Sequence, residues 1–127
     1  MLVDTSVWVD HLRRSNARLR EHLEAAQVYT HAFVIGELAC GNLARRAEIL
    51  SSLAELPRAP LVEHEEVLAF VARYRLQGRG IGWVDVNLLA AARIARVPFW
   101  TQDKKLARVA HELGLAPAAP GDSERHR

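Results

Sequence analysis

Short apolar runs alternate along the chain with longer stretches whose apolar residues recur every three or four positions, so strands and helices are expected in turn. Met1–Asp4 reads as a terminal, buried parallel strand. Ser6–Leu12 reads as a helix carrying Val7, Trp8 and Leu12. Ser15 or Asn16 caps a second helix that runs through Leu23 and Ala26. Val28–Thr30 is a short strand, followed by helices over Phe33–Gly41 and Leu43–Leu56. Pro57 and Pro60 punctuate the chain before a third short strand, Leu61–Val62. A helix over His64–Leu76 leads into the glycine-rich loop Gln77–Gly82. A strongly apolar helix, Trp83–Arg96, precedes a strand over Val97–Thr101, with Pro98 near its start. The last helix, Asp103–Leu113, stops at Gly114.

Such alternation implies an α/β sandwich with a mostly parallel sheet. Sites in these sheets form beyond the carboxyl ends of the strands. That rule points to Asp4, after the first strand, and to Thr101-Gln102-Asp103, after the last.

Two further acids stand in apolar company. The neighbours of Glu37 at helical spacing are Phe33, Val34, Cys40 and Gly41, so this carboxylate is expected to be less than fully solvated. Asp85 opens the helix whose next turns are almost wholly apolar. Each acid alone has a simpler reading: Asp4, Asp85 and Asp103 as helix-start residues, Glu37 as a side chain tilted to water. Together they would repel one another, and no Lys or Arg stands at local helical spacing to neutralise Asp4 or Glu37. A hard divalent cation, Mg²⁺ or Mn²⁺, resolves this, because such ions take oxygen ligands and keep waters. One ion or two would suit phosphodiester chemistry, a pair lying about 3.5–4 Å apart.

Composition narrows the classes without choosing among them. The 127 residues suit one domain, and half are hydrophobic. No apolar run approaches the roughly 20 residues that span a bilayer, and no signal-peptide pattern opens the chain. The single cysteine, Cys40, excludes an intrachain disulfide, fits a reducing cytoplasm and is expected in the core. The net charge of +2 proves no partner by itself. Trp8, Trp83 and Trp100 read as core packing, and the six histidines show no metal-ligand spacing.

In the order LVDTSVW, IGELACGN, GWVDVNLLAAA and WTQDKKL, the chain resembles the PIN-domain ribonucleases, most of all the toxins of VapBC toxin–antitoxin pairs. The resemblance covers about residues 1–115. It implies a PIN-like three-layer α/β/α sandwich with a short, mostly parallel central sheet, over residues 1–116, with 117–127 as a disordered tail. It implies that Asp4, Glu37, Asp85 and Asp103 are the catalytic, metal-binding acids, with Thr5, Ser6 and Thr101 in support. The implied activity is Mg²⁺- or Mn²⁺-dependent endoribonuclease action by a toxin, with RNA as substrate. A VapB-like antitoxin and a second copy in a homodimer are the implied protein partners. An alternative is a catalytically silent PIN-like module that binds RNA or antitoxin.

With the four acids set aside, 17 basic residues face 11 acidic ones, leaving a positive body around a negative pocket. Arg13, Arg14, Lys104 and Lys105 are the expected RNA contacts. Capping of the first helix falls to Thr5 or Ser6. The Gly78–Gly82 loop lacks the Lys-Ser/Thr ending of a P-loop and reads as a connector that lets Asp85 approach. A haloacid-dehalogenase-type phosphatase would need an Asp where Ser6 stands, and a receiver domain an acceptor Asp within 49–62, which has none.

Overall fold

The structure, a computed structural model, describes residues 1–118. Strand β1 (Leu2–Val3) is followed by helices α1 (Thr5–Arg14), α2 (Ala17–Glu24), α3 (Ala32–Cys40), α4 (Arg46–Ala54), α5 (His64–Arg73) and α6 (Trp83–Ala95). Strand β2 (Phe99–Trp100) and helix α7 (Lys104–Glu112) complete the order. The expected tail falls, apart from Pro117 and Ala118, outside the described residues.

The sheet is short and parallel. Leu2 pairs with Phe99 and Val3 with Trp100. Beyond β1, bridges Leu2–Tyr29 and Thr30–Arg58 continue the parallel order, so the segment expected as a strand at Val28–Thr30 contributes two bridges only. Backbone bonds hold the rows: Asp4 N–H donates to Trp100 O at 2.9 Å, Tyr29 N–H to Met1 O at 2.8 Å and Ala59 N–H to Thr30 O at 2.8 Å. The strand expected at Leu61–Val62 does not form; the pairing lies at Arg58 instead. The reason is local: Pro57 supplies a carbonyl to Thr30 N–H, and Pro60 has no N–H to extend the ladder, which confines this segment to an edge.

Leu2 and Val3 are fully buried, and burial of each such side chain contributes about 1.5–3 kcal/mol before entropy is counted. Helix α3 packs on α1 and α4, while α5 packs on α6 and α6 meets β2. Left-handed residues mark several helix boundaries. Arg45 (φ 54°) delays α4 relative to the expected Leu43 start, and Arg75 (φ 54°) and Arg96 (φ 57°) follow the ends of α5 and α6. Because β1 and β2 are parallel neighbours, the residues after each emerge at the same edge. Asp4 and the Thr101–Asp103 turn therefore share one end of the sheet.

Candidate functional site

Asp4 occupies the N-cap position of α1 but makes no capping bond; its side chain is 7% exposed and turns to the sheet edge. Its Oδ2 accepts two hydroxyls, from Thr101 Oγ1 at 2.7 Å and Ser6 Oγ at 2.8 Å. Each hydroxyl also accepts a backbone amide, Ser6 from Gln102 N–H at 2.9 Å and Thr101 from Asp103 N–H at 3.1 Å. An amide that donates to the hydroxyl leaves the hydroxyl proton for the carboxylate. The orientation of Asp4 is thus set by both strand ends. Ser6 does not cap α1, contrary to expectation, and neither does Thr5, whose Oγ1 donates to Glu37 Oε1 at 2.7 Å.

That bond ties Glu37, on α3, to the residue next to Asp4. Glu37 is exposed, not withdrawn from solvent as expected, because Cys40 and Gly41 on the same helix side are themselves exposed. α3 is fixed at its start by a buried histidine that sequence reasoning assigned no role. His31 Nδ1 accepts Phe33 N–H at 2.9 Å, and burial pushes the imidazole pKa down, which keeps this acceptor unprotonated.

Asp85 sits in the first turn of α6, half-buried, with Oδ2 accepting Gly82 N–H at 2.8 Å. Burial raises its pKa first, the Gly82 N–H opposes, and the charges of Asp4 and Asp103 raise it further. Those two couplings place Asp4, Asp85 and Asp103 in one electrostatic neighbourhood. Asp103 caps α7, its Oδ1 accepting Lys105 N–H at 2.9 Å and Leu106 N–H at 3.1 Å. The helix-start reading is therefore correct for Asp85 and Asp103 as far as one oxygen goes.

The four acids share a pattern. In each, one carboxylate oxygen is held by a donor from the chain, and the other accepts no hydrogen bond among the described residues. No Lys or Arg pairs with any of the four among those residues. Oriented, unpaired carboxylate oxygens suit a hard divalent cation. Among the described residues, however, no three His, Cys, Asp or Glu side chains close around a single ion position. The donor set fits Mg²⁺, which is held by one or two carboxylates with waters and substrate oxygens completing its octahedron.

Other expectations need correction. Cys40 is exposed rather than core, being the last residue of α3 on its solvent side. Trp83 is 42% exposed at the start of α6, with His64 tilted against it at 5.0 Å, whereas Trp8 and Trp100 are buried as expected. Arg14 is bound to Asp10 at 2.6 Å, while Arg13 lines the hollow that also holds Thr5 and Glu37. Asp10 was not singled out by sequence. It accepts Arg14, Asn16 and Gln102, which lowers its pKa to about 2 and ties α1 to the turn after β2. Its only sequence signal was the i,i+4 spacing to Arg14.

Over 119 residues, the chain is 47% identical to the protein named Ribonuclease VapC32 in two strains of Mycobacterium tuberculosis, CDC 1551 / Oshkosh and ATCC 25618 / H37Rv. The match spans 93% of this chain and 96% of each relative. Residues 1–112 match the description "PIN domain", a span that runs from the strand Asp4 follows to the end of the helix that Asp103 caps. With that match, and with the parallel pair that sets Asp4 and Asp103 on one edge, this chain belongs to the PIN domain family.

Proposed function

We propose that this chain is a metal-dependent endoribonuclease and the toxin of a toxin–antitoxin pair, acting in the cytoplasm. The observation that carries the reading is the set of four acids, each oriented through one oxygen and open at the other. The relatives named as ribonucleases support the RNA substrate. Asp4, Asp85 and Asp103 would hold one or two Mg²⁺ or Mn²⁺ ions, with Glu37 at the α3 side. When bound, the metal supplies a more acidic water and charge neutralisation at the scissile phosphodiester. The chain does the rest by positioning. Thr101 and Ser6 hold Asp4 at the rigid strand end, Thr5 holds Glu37, and the first amides of α7 hold Asp103. Burial first, and then the charges of Asp4 and Asp103, raise the proton affinity of Asp85, which a bound cation would lower.

Two partners belong to the same reading. A hollow of about 530 Å³, lined largely by Trp8, Leu12, Leu23, Ile49, Leu53 and Leu56, offers an apolar seat for a VapB-like antitoxin. Exposed Leu68, Trp83 and Ile94, on the mutually packed α5 and α6, offer a face for a second copy.

The test is cleavage of an RNA pool by purified protein with Mg²⁺, Mn²⁺ or EDTA. Cleavage is expected with metal only. Asp4→Asn should abolish it while the folding transition persists. In cells lacking an antitoxin, expression should arrest growth, and Glu37→Gln should relieve the arrest. RNA binding without cleavage under either metal would instead establish the silent-module reading, which draws on the open spacing of the acids.

A further inference from the structure

We propose that Arg79, Lys104, Lys105 and Arg108 form a second, phosphate-binding subsite that grips the RNA backbone away from the cleaved bond. The proposal rests on the RNA reading above and adds where the strand is held. These four cations line one pocket of about 310 Å³, and no other residue lines it among the described residues. Lys104, Lys105 and Arg108 come from the first turns of α7, opposite the buried Leu106, Val109 and Ala110. Arg79 comes from the glycine-rich loop and is steadied by Glu112 at 2.7 Å.

The loop and helix are built against each other. Gly80 has φ +79°, and a Cβ there would lie 2.9 Å from Lys105 Cδ and 3.1 Å from its Nζ. Glycine at this position leaves room for the lysine to lie across the loop, which brings a second cation to the pocket. Lys104 and Arg108 form no ion pair among the described residues. Four like charges in one hollow, with Glu112 the one acid among the described residues that pairs with any of them, repel one another. A polyanion relieves that repulsion, and two guanidiniums can grip phosphate oxygens bidentately.

The subsite borders the acid edge from two sides. Asp103 immediately precedes Lys104, and Gly82, whose amide holds Asp85, lies three residues beyond Arg79. At the helical rise, Arg108 stands about 8 Å along the axis from Asp103, so one strand can engage both. The hollow thus distinguishes backbone grip from the acids' chemistry and extends the expected contacts Lys104 and Lys105 to Arg79 and Arg108.

The experiment uses the Asp4→Asn protein, so that cleavage does not intervene, and fluorescence anisotropy with a labelled 12-nucleotide single-stranded RNA over a salt series. Adding Lys104→Gln and Arg108→Gln should raise Kd about tenfold and flatten the slope of log K against log salt by about 1.4, near 0.7 per lost phosphate contact. Adding Arg20→Gln and Arg58→Gln instead removes the same charge elsewhere and should leave the slope near that of the Asp4→Asn parent. Equal losses in the two double substitutions would overturn the subsite, as would no RNA binding by the parent. Tighter capture of polyglutamate than of the RNA would overturn it too, in favour of an acidic protein segment. A parent that binds RNA, alongside a wild-type protein that cuts none, would remove the nuclease reading and leave the subsite standing.

Discussion

Thr101 joins two of the acids, and its hydroxyl is the perturbation that tests the arrangement most sharply. The side chain is 8% exposed; Oγ1 donates to Asp4 Oδ2 at 2.7 Å and accepts Asp103 N–H at 3.1 Å. Thr101→Val keeps the shape and removes both bonds. A hydrogen bond to a charged group contributes about 1.5–3 kcal/mol net. The Asp103 amide is part-buried and can reach water at its exposed residue, and the new methyl returns about 0.8 kcal/mol of burial. The expected cost is therefore about 1–2 kcal/mol, or roughly 4–8 °C in Tm for a domain of this size. Because the lost donor orients a proposed ligand, RNA cleavage should fall by about 10- to 100-fold, as when outer partners of metal ligands are removed. Thr101→Ser keeps the donor and should recover most of both. Urea unfolding and a cleavage time course measure the two quantities. If Thr101→Val unfolds within about 0.3 kcal/mol of wild type and cuts as fast, Asp4 is not held as described and the reasoning fails.

Two further predictions concern charge. Asp85 has a folded-state pKa above its ordinary 3.8, so its ionised form costs stability, and that cost grows as pH rises through the raised value. Asp85→Asn should therefore raise the metal-free Tm at pH 7, lose the advantage below pH 3.8 and abolish any Mg²⁺-induced Tm gain; a lower Tm at pH 7 would refute this sign. Asp10 behaves in the opposite sense: its carboxyl is held at about 2, so its contribution is present above 3.8 and is lost as pH falls toward 2. Asp10→Asn should flatten the acid limb of the Tm-versus-pH curve across that window, whereas parallel curves would show that the Arg14–Asn16–Gln102 cluster does not act on stability.

The sequence carried the helices and the sheet edge because both depend on local periodicity and on strand direction. Asp4 and Asp103 were legible as neighbours for that reason: each follows a short apolar strand, and parallel pairing brings such ends together. What each acid touches was less legible. Thr5 and Ser6 look like caps by type, but Thr5 reaches Glu37 across the α1–α3 packing, and Ser6 turns back to Asp4 while accepting the Gln102 N–H that the pairing of β1 with β2 brings to it. Glu37, Cys40 and Trp83 were misjudged for exposure because apolar neighbours in sequence do not reveal which side of a helix the rest of the fold covers. The strand at Leu61–Val62 failed because two prolines shifted pairing to Arg58. His31 and Asp10 carry no motif; their roles arise from burial and from a turn distant in sequence.

The central claim is that four oriented carboxylates form the seat of a divalent cation. Anomalous diffraction at the manganese edge, from crystals grown with Mn²⁺, tests it directly. The account predicts a peak within coordinating distance of the open oxygen of Asp4, shared with at most one of the other acids and completed by waters, and absent from crystals of Asp4→Asn. Manganese bound only elsewhere on the chain, or a peak that survives Asp4→Asn unchanged, would contradict it.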